Sequence, residues 1–258
     1  HGLNDAIGEA VDGPTLVVGY LGTMTMLVGG IVLVPLVMLV FYTSETSLAH
    51  CFIIPGLAAM LVGYLMTLGI KGKRKARLDK HQDTVVILFT WVIAVAVCSV
   101  PFLMTGEYSI TGAVFETTSG LSTTGLTVTD VESCSHVFLF YRSVLLFFGG
   151  VGLVLIMVSA LSDSQGMKLF RAEGHTDQLL PNLARSARLI LSIYSGYIIV
   201  GTLALVAAGM PWFDSLNHAI AALSTGGFSV RAGSIGSYGS VAIEAIVIVL
   251  MILGSTNF

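Results

Sequence analysis

Two stretches, "FETTSGLSTTGLTV" (115–128) and "HAIAALSTGGFSV" (218–230), concentrate Thr, Ser and Gly between long apolar runs. Their chemistry is that of oxygen: hydroxyls, and backbone carbonyls that glycine frees from the usual angular limits. Such carbonyls, aimed together at one axis, replace the hydration shell of a cation. The two stretches also repeat each other. Shifted by 102 residues, "LSTTGLTV" (121–128) lies over "LSTGGFSV" (223–230), identical at five of eight positions. The same shift lays the apolar run 84–104 over 189–208, and 137–161 over 240–254 with Gly152 above Gly254. Each unit reads as span, short segment, Thr/Gly turn, span, and internal repeats of this kind enclose a shared pathway.

The elements that hold these turns are membrane helices. The 258 residues are 55% hydrophobic and only 10% charged, with mean hydropathy +0.89. A soluble domain of this length needs far more charge to cover its surface. Six spans are expected, at 15–42, 48–70, 84–104, 137–161, 189–208 and 240–254. Most reach the ~20 residues that cross about 30 Å of hydrocarbon, and the last is marginal. Ten of the twelve Lys and Arg fall in 71–80 and 163–188. The positive-inside rule puts both connections in the cytoplasm, together with the N-terminal segment 1–14. A basic run flush against a span end is a topology signal, so no nucleic-acid partner is expected. The partner that composition does imply is membrane lipid.

The short segments 110–121 and 212–223 cannot cross the bilayer, since twelve helical residues span only about 18 Å. The flanking spans leave and re-enter on the outer side, so each segment is re-entrant. Irregular backbone at that depth is tolerated where protein buries it or water lines it. A half-helix followed by an extended Thr-Gly return therefore reads as a pore helix and cation filter, with the negative helix end favouring the ion. The shift places Glu116 over His218 and Arg142 over Glu244. Charges at membrane depth are costly unless paired, so two structural pairs are expected, Glu116–Arg142 and His218–Glu244.

Other signals are quieter. "GGVG" (149–152) sits in an apolar run and reads as a close helix contact rather than a dinucleotide fingerprint. Pro35, Pro55 and Pro101 read as kinks or ends. Cys51, Cys98 and Cys134 share no metal-ligand spacing and read as packing residues. No GxxxxGK[ST], HExxH or GxSxG string is present, so no enzyme chemistry and no organic cofactor is expected. The first residue is His1, and the chain stops after an apolar run at Phe258; both ends read as cut.

The ordered strings "FETTSGLSTTGLTV", "YRS" before "GGVG", "GMKLFRAE", "AGMPWFDSLNHAIAALSTGGFS" and "SIGSYGS" resemble the Trk/Ktr/HKT superfamily of potassium-uptake proteins, most closely its bacterial Trk-type membrane subunit. The resemblance runs from about Thr15 to Phe258. It implies an all-α polytopic membrane protein of the inner (cytoplasmic) membrane, built as two leading helices (15–70) and membrane–pore–membrane repeats. This chain matches the first two repeats (84–162 and 186–258) of the family's four, half of a potassium-channel-like pore. Carried over, Gly125 and Gly227 match the filter glycines, and Thr123, Thr124, Leu126, Thr225, Gly226 and Phe228 flank them as carbonyl donors to potassium. Glycine at the first position goes with potassium preference. The resemblance further implies a homodimer and a cytosolic nucleotide-binding regulatory ring, docked in part on 163–188. The competing readings are a non-conducting scaffold for that regulator and a less selective sodium/potassium channel.

Overall fold

The computed structural model describes residues 13–70, 80–152 and 183–256. The segment 1–12, most of the two basic connections, the string "GMKLFRAE" and the regulator-docking expectation lie outside the described residues. Within them all regular structure is helical. Among the described residues, four helices are long and apolar enough to cross a membrane: Pro14–Val40, Thr43–Thr67, Thr84–Met104 and Leu189–Ala207.

Helix α1 (Gly13–Leu33) tightens into a 3-10 turn, Val34–Val40, where Pro35 removes a backbone donor. A second such turn, Thr43–Leu48, leads into α2 (Ala49–Thr67). The two helices form a hairpin whose backbones nearly touch. A Cβ on Gly22 would lie 2.6 Å from the Gly63 carbonyl, and one on Gly29 would lie 2.6 Å from that of Gly56. Small residues that let helices approach so closely are how membrane helices associate without a hydrophobic drive between them.

The rest is built twice. The first unit is α3 (Lys80–Met104), α4 (Ile110–Leu121) and α5 (His136–Val151); the second is α6 (Leu183–Ala207), α7 (Trp212–Leu223) and α8 (Val241–Ser255). The short helices α4 and α7 occupy the two segments expected to be re-entrant. The Ser109 hydroxyl caps α4 by accepting from Gly112 N at 3.1 Å. Residues 153–161 of the expected span 137–161 lie outside the described residues; α5 itself is short, at 16 residues. It ends at Gly152, whose φ of +86° suits glycine and not a helix interior.

The helices following each turn start 105 residues apart, at His136 and Val241, whereas α4 and α7 start 102 apart. Three extra residues thus lie between the second turn and α8. This register is fixed by packing at the far end. A Cβ on Gly149 would overlap the Leu121 carbonyl at the end of α4, and one on Gly254 would overlap the Leu223 carbonyl at the end of α7. The counterpart of Gly254 is therefore Gly149, not Gly152. Outward faces are apolar and exposed, as with Ile54, Leu57 and Leu61 on α2 and Val200 and Leu203 on α6, which is the surface a lipid environment requires.

Candidate functional site

Each short helix ends in the same hairpin of hydrogen bonds. In the first, Thr123 N donates to Gly120 O (3.0 Å), and Thr124 N and Gly125 N donate to Ser119 O (2.9 and 3.5 Å). In the second, Thr225 N donates to Ala222 O (3.1 Å), and Gly226 N and Gly227 N donate to Ala221 O (3.0 and 3.2 Å). Every donor and acceptor recurs 102 residues on. The backbone angles recur too. Thr123 and Thr225 sit at φ +53° and +55°, Gly125 and Gly227 at +79° and +83°. A β-branched residue in the left-handed region is an outlier that surrounding structure must hold in place.

The two turns meet. A Cβ on Gly125 would overlap the Gly226 carbonyl oxygen, so only glycine permits this approach, whereas around Gly227 the space is open. Among the described residues, no hydrogen bond is made to the carbonyls of 123–125 or 225–227. Leu126 departs from this set. Its carbonyl accepts the Ser119 hydroxyl at 2.5 Å and is committed to its own short helix. Residue 221, the counterpart of Ser119, is Ala and has no hydroxyl to give.

Behind the turns lies a buried polar network. Glu116 and Arg142 are 0% and 1% exposed, and Arg142 Nε donates to Glu116 Oε1 at 2.7 Å. Glu116 also accepts from the Thr127 hydroxyl (2.7 Å) and Val128 N (2.9 Å), which ties α4 to its own return strand. Arg142 sends Nη2 to Thr127 Oγ1 (2.9 Å) and Nη1 across to the Ser229 carbonyl (3.0 Å). Its guanidinium carbon lies 4.1 Å above the Phe228 ring.

His218 and Glu244 are not brought together. The His218 ring engages the Asp214 carbonyl (2.8 Å) and the Ser229 hydroxyl (2.9 Å), while Glu244 is exposed near the start of α8. The reason is the three-residue insertion. With α8 shifted by 105, the residue at the place of Arg142 is Val247, which lines a cavity of about 520 Å³ beside His218 and Thr225. The true parallel is Glu116 with Thr127 and His218 with Ser229, each eleven residues apart. That repeated spacing is present in the two strings, whereas charge alone suggests an acidic partner for His218.

Further polar residues join the site through contacts that no spacing encodes. Asp214 Oδ2 accepts from Arg231 Nε (3.0 Å) and the Tyr238 hydroxyl (2.6 Å), and this bonding holds the Arg231 pKa above its ordinary value. The Glu45 carboxylate accepts from the backbone N of His136 and Val137 and from the His136 ring, each at 2.9 Å. It thereby caps α5 from the leading hairpin, with Tyr42 stacked on His136 at 4.0 Å. Ser143 donates to Asn217 and joins α5 to α7. No group of three His, Cys, Asp or Glu capable of holding a metal occurs among the described residues.

The family model described as TrkH, cation transport protein, matches residues 52–258. The chain belongs to the TrkH family. It is 30% identical over 246 residues to the Trk system potassium uptake protein TrkH of Escherichia coli K12, covering 92% of this chain and 50% of that protein. The corresponding protein of Halomonas elongata is 35% identical over 205 residues, covering 76% of this chain and 42% of its own length. An uncharacterized cation transporter of Methanocaldococcus jannaschii is 31% identical over 242 residues, covering 92% of this chain and 50% of its own length. The crystal structure of the potassium transporter TrkH from Vibrio parahaemolyticus superposes with a TM-score of 0.77 at 26% identity. That match covers 95% of this chain and 50% of the other. This TrkH-family chain thus spans about half the length of the relatives it matches, and it is an all-helical polytopic membrane protein.

Proposed function

We propose that this chain supplies two of the repeats around a potassium-uptake path, with the turns 123–126 and 225–228 as parts of its selectivity filter. The observation that carries the reading is the paired turn. Two left-handed Thr/Gly returns, bonded alike, meet at Gly125 and Gly226 and leave a run of backbone carbonyls unclaimed within the described residues. Potassium gives up its water when several such oxygens replace that shell together. Potassium is the cargo; Thr123, Thr124, Gly125, Thr225, Gly226, Gly227 and Phe228 would offer carbonyls to it, and Leu126 contributes less because Ser119 holds its carbonyl. The names of the relatives support potassium as the ion.

In this reading the protein lies in the inner membrane with its N-terminus in the cytoplasm, works as a homodimer and answers to a cytosolic nucleotide-binding ring. The test is rubidium flux and potassium-limited growth in an uptake-deficient bacterium expressing a transporter that carries this chain. Growth rescue with saturable rubidium uptake supports the reading. Full membrane insertion without flux would favour the scaffold instead.

A further inference from the structure

We propose that Arg142 is a positioning residue that fixes the separation of the two turns, and through it the preference of the path for potassium over sodium. The inference rests on the filter reading above.

Arg142 belongs to the first repeat yet holds both returns. On its own side, Nε and Nη2 are anchored by Glu116 and Thr127. On the other, Nη1 reaches the carbonyl of Ser229 while the guanidinium plane covers Phe228. Phe228 and Ser229 are the two residues that directly follow Gly227. One planar group thus spans the two turns a few residues beyond their closest approach at Gly125 and Gly226. A guanidinium is a rigid fork, so the distance between its two anchor points is set by covalent geometry. The Glu116 carboxylate balances its charge, so the strut adds no net repulsion toward a passing cation. Cation preference depends on how many carbonyls converge and how far apart they stand. A strut that sets the distance between neighbouring turns acts on that quantity.

The second repeat lacks the device, because its corresponding residue is Val247. The strut is therefore particular to the junction between these two turns and is not a general feature of the repeat. If the pair served only to hold the fold, breaking it would lower stability and leave ion preference alone.

Arg142→Lys separates the two roles, since an ammonium keeps the charge opposite Glu116 but cannot hold both anchors at once. The measurement is sodium competition against rubidium uptake, together with membrane level and melting temperature, in a transporter that carries this chain. The expected result is normal insertion with a severalfold loss of potassium-over-sodium preference. If the lysine variant does not reach the membrane, Phe228→Leu decides, because it removes the ring beneath the guanidinium and keeps an apolar side chain; a smaller loss of preference is expected. An unchanged preference in the variant that inserts overturns the strut, provided Gly125→Ser shifts preference in the same assay. If Gly125→Ser shifts nothing either, the filter reading has failed and this inference fails with it.

Discussion

Glu116 and Arg142 form an ion pair with both side chains out of reach of solvent, Nε standing 2.7 Å from Oε1. Removing one partner of such a pair strands the other charge and costs about 3–5 kcal/mol. Glu116→Gln and Arg142→Gln should each lower membrane level and melting temperature in detergent. The exchange Glu116→Arg with Arg142→Glu should recover only part of the loss, because Thr127 and Val128 then lose their acceptor. A double variant no better than the worse single one would contradict direct pairing.

His218 and Glu244 should behave differently from each other. His218→Ala deletes the bonds to Asp214 and Ser229 and should cost about 1–3 kcal/mol. Glu244→Gln, at an exposed position, should stay within about 0.5 kcal/mol of the parent. Thermal unfolding of the two purified variants checks this, and equal damage from both would refute the shifted register of α8.

The glycines that set that register give a third expectation. Gly149→Ala and Gly254→Ala each push a methyl into the end of a short helix, at Leu121 and Leu223. Each should destabilise by about 1–3 kcal/mol through overpacking. Gly152→Ala, at the residue aligned with Gly254 by the simple shift, places a side chain at a φ of +86° and should act through that strain. Melting curves that rank Gly149 and Gly254 together, with comparable losses, support the packing account.

Burial lifts the Cys134 thiol to about 11. Raising a thiol by two pH units over its usual range lowers its thiolate fraction at neutral pH by roughly a hundredfold. Maleimide should therefore label Cys134 slowly at pH 7.5 and faster as pH rises. A cysteine placed at exposed Glu132 should react readily at the same pH. Equal labelling rates would show that the 130–135 loop is open.

Much of this arrangement is legible in the sequence because it is local. The limits of α4 and α7, and the turns after them, follow from apolar length and Thr/Gly content within a dozen residues. The partner of Arg142 was legible because charge at membrane depth demands one. The partner of His218 does not follow from a single shift of 102, because three extra residues after the turn move α8 by nearly one helical turn. The capping of α5 by Glu45 joins residues 91 apart in sequence, and no periodicity encodes such a contact. The crossing of Arg142 to Ser229 is likewise a product of packing between repeats.

The measurement closest to the central claim is ion preference after substitution of the two turn glycines. Gly125 has a φ of +79° and no room for a Cβ beside Gly226, so Gly125→Ser must rotate or displace carbonyls of both turns. Gly227 shares the positive φ but faces open space within the described residues, so Gly227→Ser should perturb less. Sodium competition against rubidium uptake, in a transporter that carries this chain, reads the outcome. A clear fall in potassium-over-sodium preference is expected for Gly125→Ser and a milder one for Gly227→Ser. Unchanged preference in both variants, at normal membrane level, would contradict the assignment of these turns to the filter.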